Sequence, residues 1–414
     1  MKSPFTKAFF IHNRLKLRTG LSEDYPIVLI ANGSLQRSND TTYPFQQDSN
    51  FWYLTGIQEP DLILVMHETD EYLILPQTNT VKTIFDGEID NDALQDRSGI
   101  KTVYTAAEGW RRLTTELAKH KAFFYTVTPT VRFEPQARLY ANPAQQYTLE
   151  KLRRRISGTI PHDITKQLQG LRMRKQPPEL AAIQEAVHIT TETIAQVRTA
   201  AQLTNLQTEF ALEAAITNGF RTRGASGHAY APIIASGKHA ATLHYVSNNG
   251  LMGADELVVA DVGAEYEHYA ADITRTFASS KPTARQQSVL DAVVDIQQYA
   301  ASLLRPGVFL RDYERAVAAY TGEALFRLKL TKNQHDMYAV RTYFPHASSH
   351  FLGLDVHDAG DYELPLEESM VLTCEPGIYI PEEGIGVRIE DDLVITANGN
   401  TNLSADCSYS AYVL

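Results

Sequence analysis

The segment His346–Asp358 reads HASSHFLGLDVHD and holds His346, His350 and His357, three of the chain's 13 histidines. Imidazole serves as metal ligand, proton carrier or packed core group, so its neighbours decide its role. Carboxylates stand at suggestive places elsewhere. In ELVVADVGAEYEHYAADITRTFA (256–278) two strand-like runs meet near Glu265–His268. A turn centred between Tyr266 and Glu267 sets Asp261 directly opposite Asp272 on one sheet face. Like charges so placed repel unless a cation lies between them. A solvated face, or a register displaced by one residue, removes the conflict without any cation. Glu375 ends the apolar run VLTC just before Pro-Gly, an awkward place for an unpaired charge. In GIGVRIEDDLVIT (384–396), Val387 and Ile389 alternate with Arg388 and Glu390, which therefore share a face. An exposed ion pair is the ordinary reading of such a strand.

Other chemistries fit less well. His346 and His350 have the spacing of the HExxH zinc helix, but HASSH lacks the glutamate. FLGLDV follows at once and suits strand or turn. No GxSxG elbow, P-loop or GxGxxG occurs, and GIGVRI lacks a third glycine. Three histidines beside four separate acidic positions point to function rather than packing.

The elements that must position these groups fall into two parts. IVLIA (27–31) and KAFFYTV (121–127) read as strands, and LILVM (62–66) with EYLIL (71–75) reads as a hairpin across HETD. QYTLEKLRRRI (146–156) starts a helix. RMRKQPPEL (172–180) then punctuates the chain, since proline disfavours helix before itself and suits a first helical turn. The domain boundary falls there, giving domains 1–172 and 173–414. Ile183, Val187, Ile194 and Val197 follow at helical spacing, and TEFALEAAITNGFRTRG is a second helix with a glycine stop. Beyond about residue 228 strands dominate, apart from a long helical stretch near 283–330. The class is α+β.

Composition narrows the partners. Lys and Arg total 38 against 49 Asp and Glu, so the net charge is −11. That balance disfavours nucleic acid and anionic membrane. Cys374 and Cys407 are too few for a disulfide framework, and no CxxC is present. AFFI near the N-terminus is too short for a signal-peptide core, and no run approaches the roughly 18 apolar residues of a membrane span. A soluble cytoplasmic protein is expected.

Five blocks, in order, resemble one family: ATLHYVSNNG, ADVGAEYEHYAADITRTFA, HASSHFLGLDVHDAG, VLTCEPGIYI and GVRIEDDLVIT. NFWYLTGIQEPD (50–61) is similar to its N-terminal domain. The family is the Xaa-Pro aminopeptidases (aminopeptidase P) of the pita-bread metallopeptidases, and the resemblance spans nearly the whole chain. It implies a C-terminal pita-bread catalytic domain preceded by a smaller α/β domain. It further implies two divalent ions, Mn²⁺ first and Zn²⁺ or Co²⁺ next, held by Asp261, Asp272, His350, Glu375 and Glu390. Asp272 and Glu390 would bridge, Asp261 would hold one ion, and His350 with Glu375 the other. Such a pair, about 3.5–4 Å apart, shares a hydroxide of lowered pKa. His244, His346, His357, Arg388 and Tyr379 would orient substrate or pass protons, and Glu375 would also carry a proton to the leaving amine. Cys374, beside Glu375, should point the other way into the core.

The implied substrate is a peptide with proline second, and the implied assembly a homodimer or homotetramer. A prolidase restricted to dipeptides would use the same ligands. A creatinase-type C–N hydrolase does not keep all five, and a non-catalytic peptide-binding relative would have lost them. Two departures stand out. TIFDGEID places Ile84 and Phe85 where bacterial relatives often carry tryptophan, and HASSH puts Ala347 where glycine is usual. Alanine there requires a negative φ.

Overall fold

The computed structural model describes residues 3–77, 80–127, 133–134 and 139–413. The chain divides into two compact units, Phe5–Leu171 and Arg172–Leu414, the second joined by Ser3 and Pro4.

The first unit is built on a six-stranded mixed sheet. Its order is Ile160–Asp163, Phe123–Thr126, Ile27–Ile30, Ile63–His67, Asp70–Ile74, Thr102–Tyr104. The unbroken apolar run Ile27–Ile30 is fully buried and sits inside the sheet, as a strand covered on both faces must. The hairpin across HETD forms, with His67 paired to Asp70. Helix Ala106–Lys119, capped by Thr105, lays Trp110, Leu113 and Leu117 against Val28, Val65 and Phe124. Helix Ala144–Arg155 covers the run read as helical, and its Lys151 ammonium lies 4.3 Å from the Trp110 ring centroid. Ile84 and Phe85 sit on the short helix Thr80–Asp86 and are exposed.

The second unit opens with helix Pro177–Val197. Proline occupies its first turn, and Gln176 with Glu179 forms a capping box. Ile183, Val187, Ile194 and Val197 are buried, as their spacing requires. Helix Glu209–Thr222 ends before Gly224, whose φ is +98°. The helical stretch expected near 283–330 is two helices, Ala284–Leu303 and Leu310–Arg327. Pro306 and Gly307 divide it, with Gly307 at φ +85°. Val293, Ile296, Tyr313 and Val317 from these helices pack in one core with Leu372, Cys374 and Val387 from the strands and with Ile389 between two of them.

The strands carrying the polar candidates are short and antiparallel. Val258–Val262 lies between Ile233–Ser236 and Ile273–Phe277. Val371–Cys374 pairs with Asp391–Thr396, and Gly377–Ile380 pairs with Ile385–Arg388. One expectation is corrected here. Asp261 pairs with Thr274, not Asp272, because the turn is centred between Glu267 and His268. Both turn residues take positive φ, 49° and 70°. A shift of two residues keeps every side chain on its face, so Asp261 and Asp272 still project together.

Candidate metal centre

Gly263 brings the two aspartates together. A Cβ there would stand 1.7 Å from the Ala271 carbonyl oxygen, so only glycine permits this approach. Tyr230 OH then lies 2.6 Å from Asp261 Oδ1 and 2.5 Å from Asp272 Oδ1, one proton between two acceptors. Asp272 is buried, and its backbone N–H donates to Asp392 Oδ2 at 3.0 Å. Asp392 is itself fully buried, and its Oδ1 has no hydrogen-bond partner.

The histidine segment is extended, in line with the rejection of a zinc helix. Phe351 bridges to Leu372, Thr373 N–H donates to the His350 carbonyl, and Glu375 N–H donates to the Ser348 carbonyl. The segment thus runs as an added edge beside Val371–Cys374, setting His350 next to Glu375. Glu314, on helix Leu310–Arg327, accepts from Ser348 N–H at 2.9 Å and from its hydroxyl at 2.9 Å. Ala347 is not among the described residues with positive φ, so alanine is accommodated there.

His350 Nδ1–H donates to the Phe351 carbonyl at 3.0 Å, which turns Nε2 toward the acids. Nε2 lies 3.4 Å from both Asp272 Oδ2 and Glu375 Oε1. Donor atoms of Asp272, His350 and Glu390 all fall within 4.8 Å of one another. Glu390 Oε2 accepts from Thr274 Oγ1 at 2.6 Å.

The exposed-strand reading of Arg388 and Glu390 is overturned, since both are buried. Arg388 pairs with Asp261 at 2.6 Å, not with Glu390. Its Nε donates to Thr274 Oγ1 at 3.1 Å and its Nη1 to Tyr379 OH at 2.8 Å. Tyr379 OH is 2.8 Å from His346 Nε2, and His346 Nδ1–H donates to the Ala347 carbonyl. An ordered chain therefore runs from guanidinium to phenol to imidazole. His357 is exposed, its ring edge-on to His350 at 4.4 Å. Cys374 is fully buried against Tyr313 and Gln297, turned away from the acids.

Burial, then the neighbouring acids, pushes Glu375 up to about 8 and raises Glu390 well above the carboxylate range. Burial also raises Asp272, against the hydrogen bond from His350. His350 is opposed by burial but held up to about 9 by Asp272 and Glu375. Burial and Arg388 push His346 down to about 4, so this imidazole is neutral near pH 7. These acids oppose one another's ionisation in a buried space, which is the condition a bound cation relieves. Four carboxylates and one imidazole are a hard, oxygen-rich donor set, suited to divalent ions. The surrounding cavity, of about 580 Å³, is lined by these groups with His244, His346 and His357, and by Leu243, Val246, Val356 and Tyr362.

Tyr230, Thr274, Glu314 and Asp392 were not singled out from sequence. Thr274 and Asp392 had a signal in the period-two alternation that pairs them with Asp272 and Glu390. Tyr230 and Glu314 had none.

Fold and site together define a metal-dependent hydrolase. Comparison with known proteins makes this specific. Residues 181–397 match Metallopeptidase family M24, and residues 10–125 match the aminopeptidase P N-terminal domain. Xaa-Pro aminopeptidase 3 of Mus musculus is 34% identical over 93% of this chain and 79% of its own length. Xaa-Pro aminopeptidase of Escherichia coli K12 is 32% identical over 97% and 96%. The structure of Escherichia coli aminopeptidase P with the inhibitor Pro-Leu superposes with TM-score 0.85 at 30% identity, covering 98% of this chain and 97% of that one. The chain belongs to metallopeptidase family M24, in its aminopeptidase P branch, with the two-domain pita-bread fold of that branch. It is a metal-dependent aminopeptidase. No helix among the described residues is long and apolar enough to cross a membrane.

Proposed function

We propose that the enzyme hydrolyses the bond between the first residue of a peptide and a proline in second position. The observation that carries this reading is the convergence of Asp261, Asp272, His350, Glu375 and Glu390, buried or half-buried, on one cavity, with the acids opposing one another's ionisation. In this reading the five would hold two divalent ions, Mn²⁺ first: Asp272 and Glu390 would serve both, Asp261 one, and His350 with Glu375 the other. Bound there, the ions supply an activated water and polarise the scissile carbonyl.

The chain's own groups do the rest. Glu375, with Oε2 at 3.5 Å from His346 Nδ1, takes a proton from the attacking water and passes it to the prolyl nitrogen, which leaves as a secondary amine. Arg388 fixes the Asp261 carboxylate and, through Tyr379, the orientation of His346. His346, neutral and committed to Tyr379, orients rather than titrates. His357 and His244, both exposed in the cavity wall, meet the substrate. Leu243, Val246 and Val356 offer the proline ring an apolar surface. A cytoplasmic homodimer or homotetramer is the assembly this reading expects, on the family resemblance alone.

The test is release of the N-terminal amino acid from Xaa-Pro-Yaa, Xaa-Pro and Xaa-Ala-Yaa by the Mn²⁺-loaded enzyme. Release from the proline tripeptide and not from the alanine one is expected. Release from the dipeptide alone would make the enzyme a prolidase. No release from any, with metal bound, would overturn the substrate class.

A further inference from the structure

His67 ends the strand Ile63–His67, and only 13% of its side chain is exposed. Its Nδ1 lies 3.2 Å from Glu116 Oε1, and Glu116 Oε2 accepts from the buried Tyr72 OH at 3.0 Å. A carboxylate so anchored selects the Nδ1–H tautomer and leaves the Nε2 lone pair free. Nε2 is shielded from solvent and has no hydrogen-bond partner. Asp24 Oδ1 stands 3.6 Å from it, too far for a hydrogen bond. Glu68, next in the hairpin turn, completes a set whose donor atoms all lie within 4.8 Å of one another. The His120 ring packs edge-on against His67 at 4.4 Å and helps wall a cavity of about 700 Å³.

The shielded Nε2 lone pair is unsatisfied, while the Asp24 carboxylate facing it is exposed to solvent. A cation between them would satisfy the nitrogen and use a carboxylate already turned toward it. We propose that Asp24, His67 and Glu68 bind one divalent ion of the zinc or cobalt class. The site draws every donor from the Phe5–Leu171 unit and is separate from the peptidase centre. One imidazole nitrogen with two carboxylates suits zinc better than magnesium or calcium, and Glu116 supplies the carboxylate–histidine–metal arrangement. Around zinc, donors sit roughly 3.3 Å apart. Asp24 and Glu68 are exposed, so side-chain rotation closes the remaining gap. The ion would tie the segment before the Ile27–Ile30 strand to the Ile63–Ile74 hairpin, a structural clamp rather than a catalytic one.

The test compares the full-length enzyme with Asp24→Asn, Glu68→Gln and His67→Ala after equilibrium dialysis against ZnCl₂, counting zinc per chain by mass spectrometry. One ion fewer per chain is expected in each variant, with peptidase turnover unchanged. Asp24 and Glu68 are surface positions, so their variants keep the test valid if His67→Ala misfolds. Tryptophan fluorescence gives a second readout, because Trp52 and Trp110 both lie in this unit. Their unfolding transition should rise with ZnCl₂ in the parent and not in Asp24→Asn. Equal zinc content in parent and variants would overturn the proposal. The count is a difference between proteins sharing the peptidase centre, so it stands whatever that centre binds.

Discussion

Asp391 is fully buried, and both of its oxygens are occupied. Oδ1 accepts from Arg275 Nη2 and Ser404 Oγ, each at 2.6 Å. Oδ2 accepts from Gln297 Nε2 at 2.7 Å and Tyr409 OH at 2.5 Å. Arg275 in turn donates Nη1 to the carbonyls of Thr274 and Glu390, so the pair pins the backbone beneath two residues of the candidate metal centre. Asp391→Ala strips Arg275 of its counter-ion in the interior. Breaking a buried pair from one side costs about 3–5 kcal/mol, against roughly 5–15 kcal/mol for a whole domain. Gln297 and Tyr409 lose their acceptor in the same step, whereas Ser404 keeps Asn402 Oδ1 at 3.0 Å. At about 2–4 °C per kcal/mol for a unit of this size, melting falls by about 6–20 °C. Asn is no rescue, because its amide turns N–H toward one of the two donor pairs. Both tryptophans report the other unit, so circular dichroism and tryptophan fluorescence together locate the damage. The dichroism component silent in fluorescence should move alone. A dichroism transition unmoved within about 2 °C would refute the buried-pair argument.

Asp272→Ala should abolish Mn²⁺ retention and turnover while leaving the dichroism spectrum intact; near-normal turnover would refute a shared ligand at that position. His357→Ala should lower turnover and spare metal content, and metal loss would show that it is a ligand. Cys374→Ala should cost about 1 kcal/mol of stability with activity retained, since it removes one small buried group. Inactivation without unfolding would overturn its packing role. Burial pushes Glu179 up to about 7, partly opposed by Lys175 and the capping hydrogen bond. The folded state then binds the proton more tightly than the unfolded one, so this contribution is full below about pH 4.5 and is lost as pH rises through about 7. Glu179→Gln, which mimics the neutral acid, should gain up to about 3 kcal/mol relative to the parent between about pH 5 and pH 8. A pH-independent difference in urea unfolding would show that Glu179 is ionised throughout.

Residue type and alternation carried much of the site into view before any coordinates. Arg388 and Glu390 share a face by strand period, and Glu375 was conspicuous as a charge ending an apolar strand. What alternation could not say is whether that face is wet. Taken alone, the strand suits an exposed ion pair as well as a functional face; both residues are buried, and Arg388 pairs with Asp261 across 127 positions of sequence. The hairpin register was missed by two residues because Glu267–His268 carries no Asn-Gly or Gly signal, although both residues take positive φ. The error did no harm to the chemistry, since an even shift preserves the face. An error of one would have sent Asp272 to the opposite side. The 283–330 stretch was joined across Pro306-Gly307 because the helical period resumes on both sides of that break.

The groups that escaped notice share a physical character. Tyr230, Glu314 and Arg275 act by reaching across the fold, over 42, 34 and 115 positions to Asp272, Ser348 and Glu390. None is a metal-ligand pattern, and none has a local spacing that binds it to its partner. A ligand must be a particular type at a particular place on a strand, which composition and period reveal. A supporting residue need only bring one donor or acceptor to the right point, and many sequences do that equally well. The centre's outer frame is therefore the part that only coordinates reveal. Keeping the five proposed ligands would not by itself keep their geometry. With Asp391 gone, Arg275 keeps only carbonyl partners, those of Thr274, Glu390 and Cys407, so the guanidinium that ties Thr274 to Glu390 is less firmly held although every proposed ligand remains. Metal affinity in Asp391→Ala should then weaken even where the unit stays folded, which separates geometric support from bulk stability.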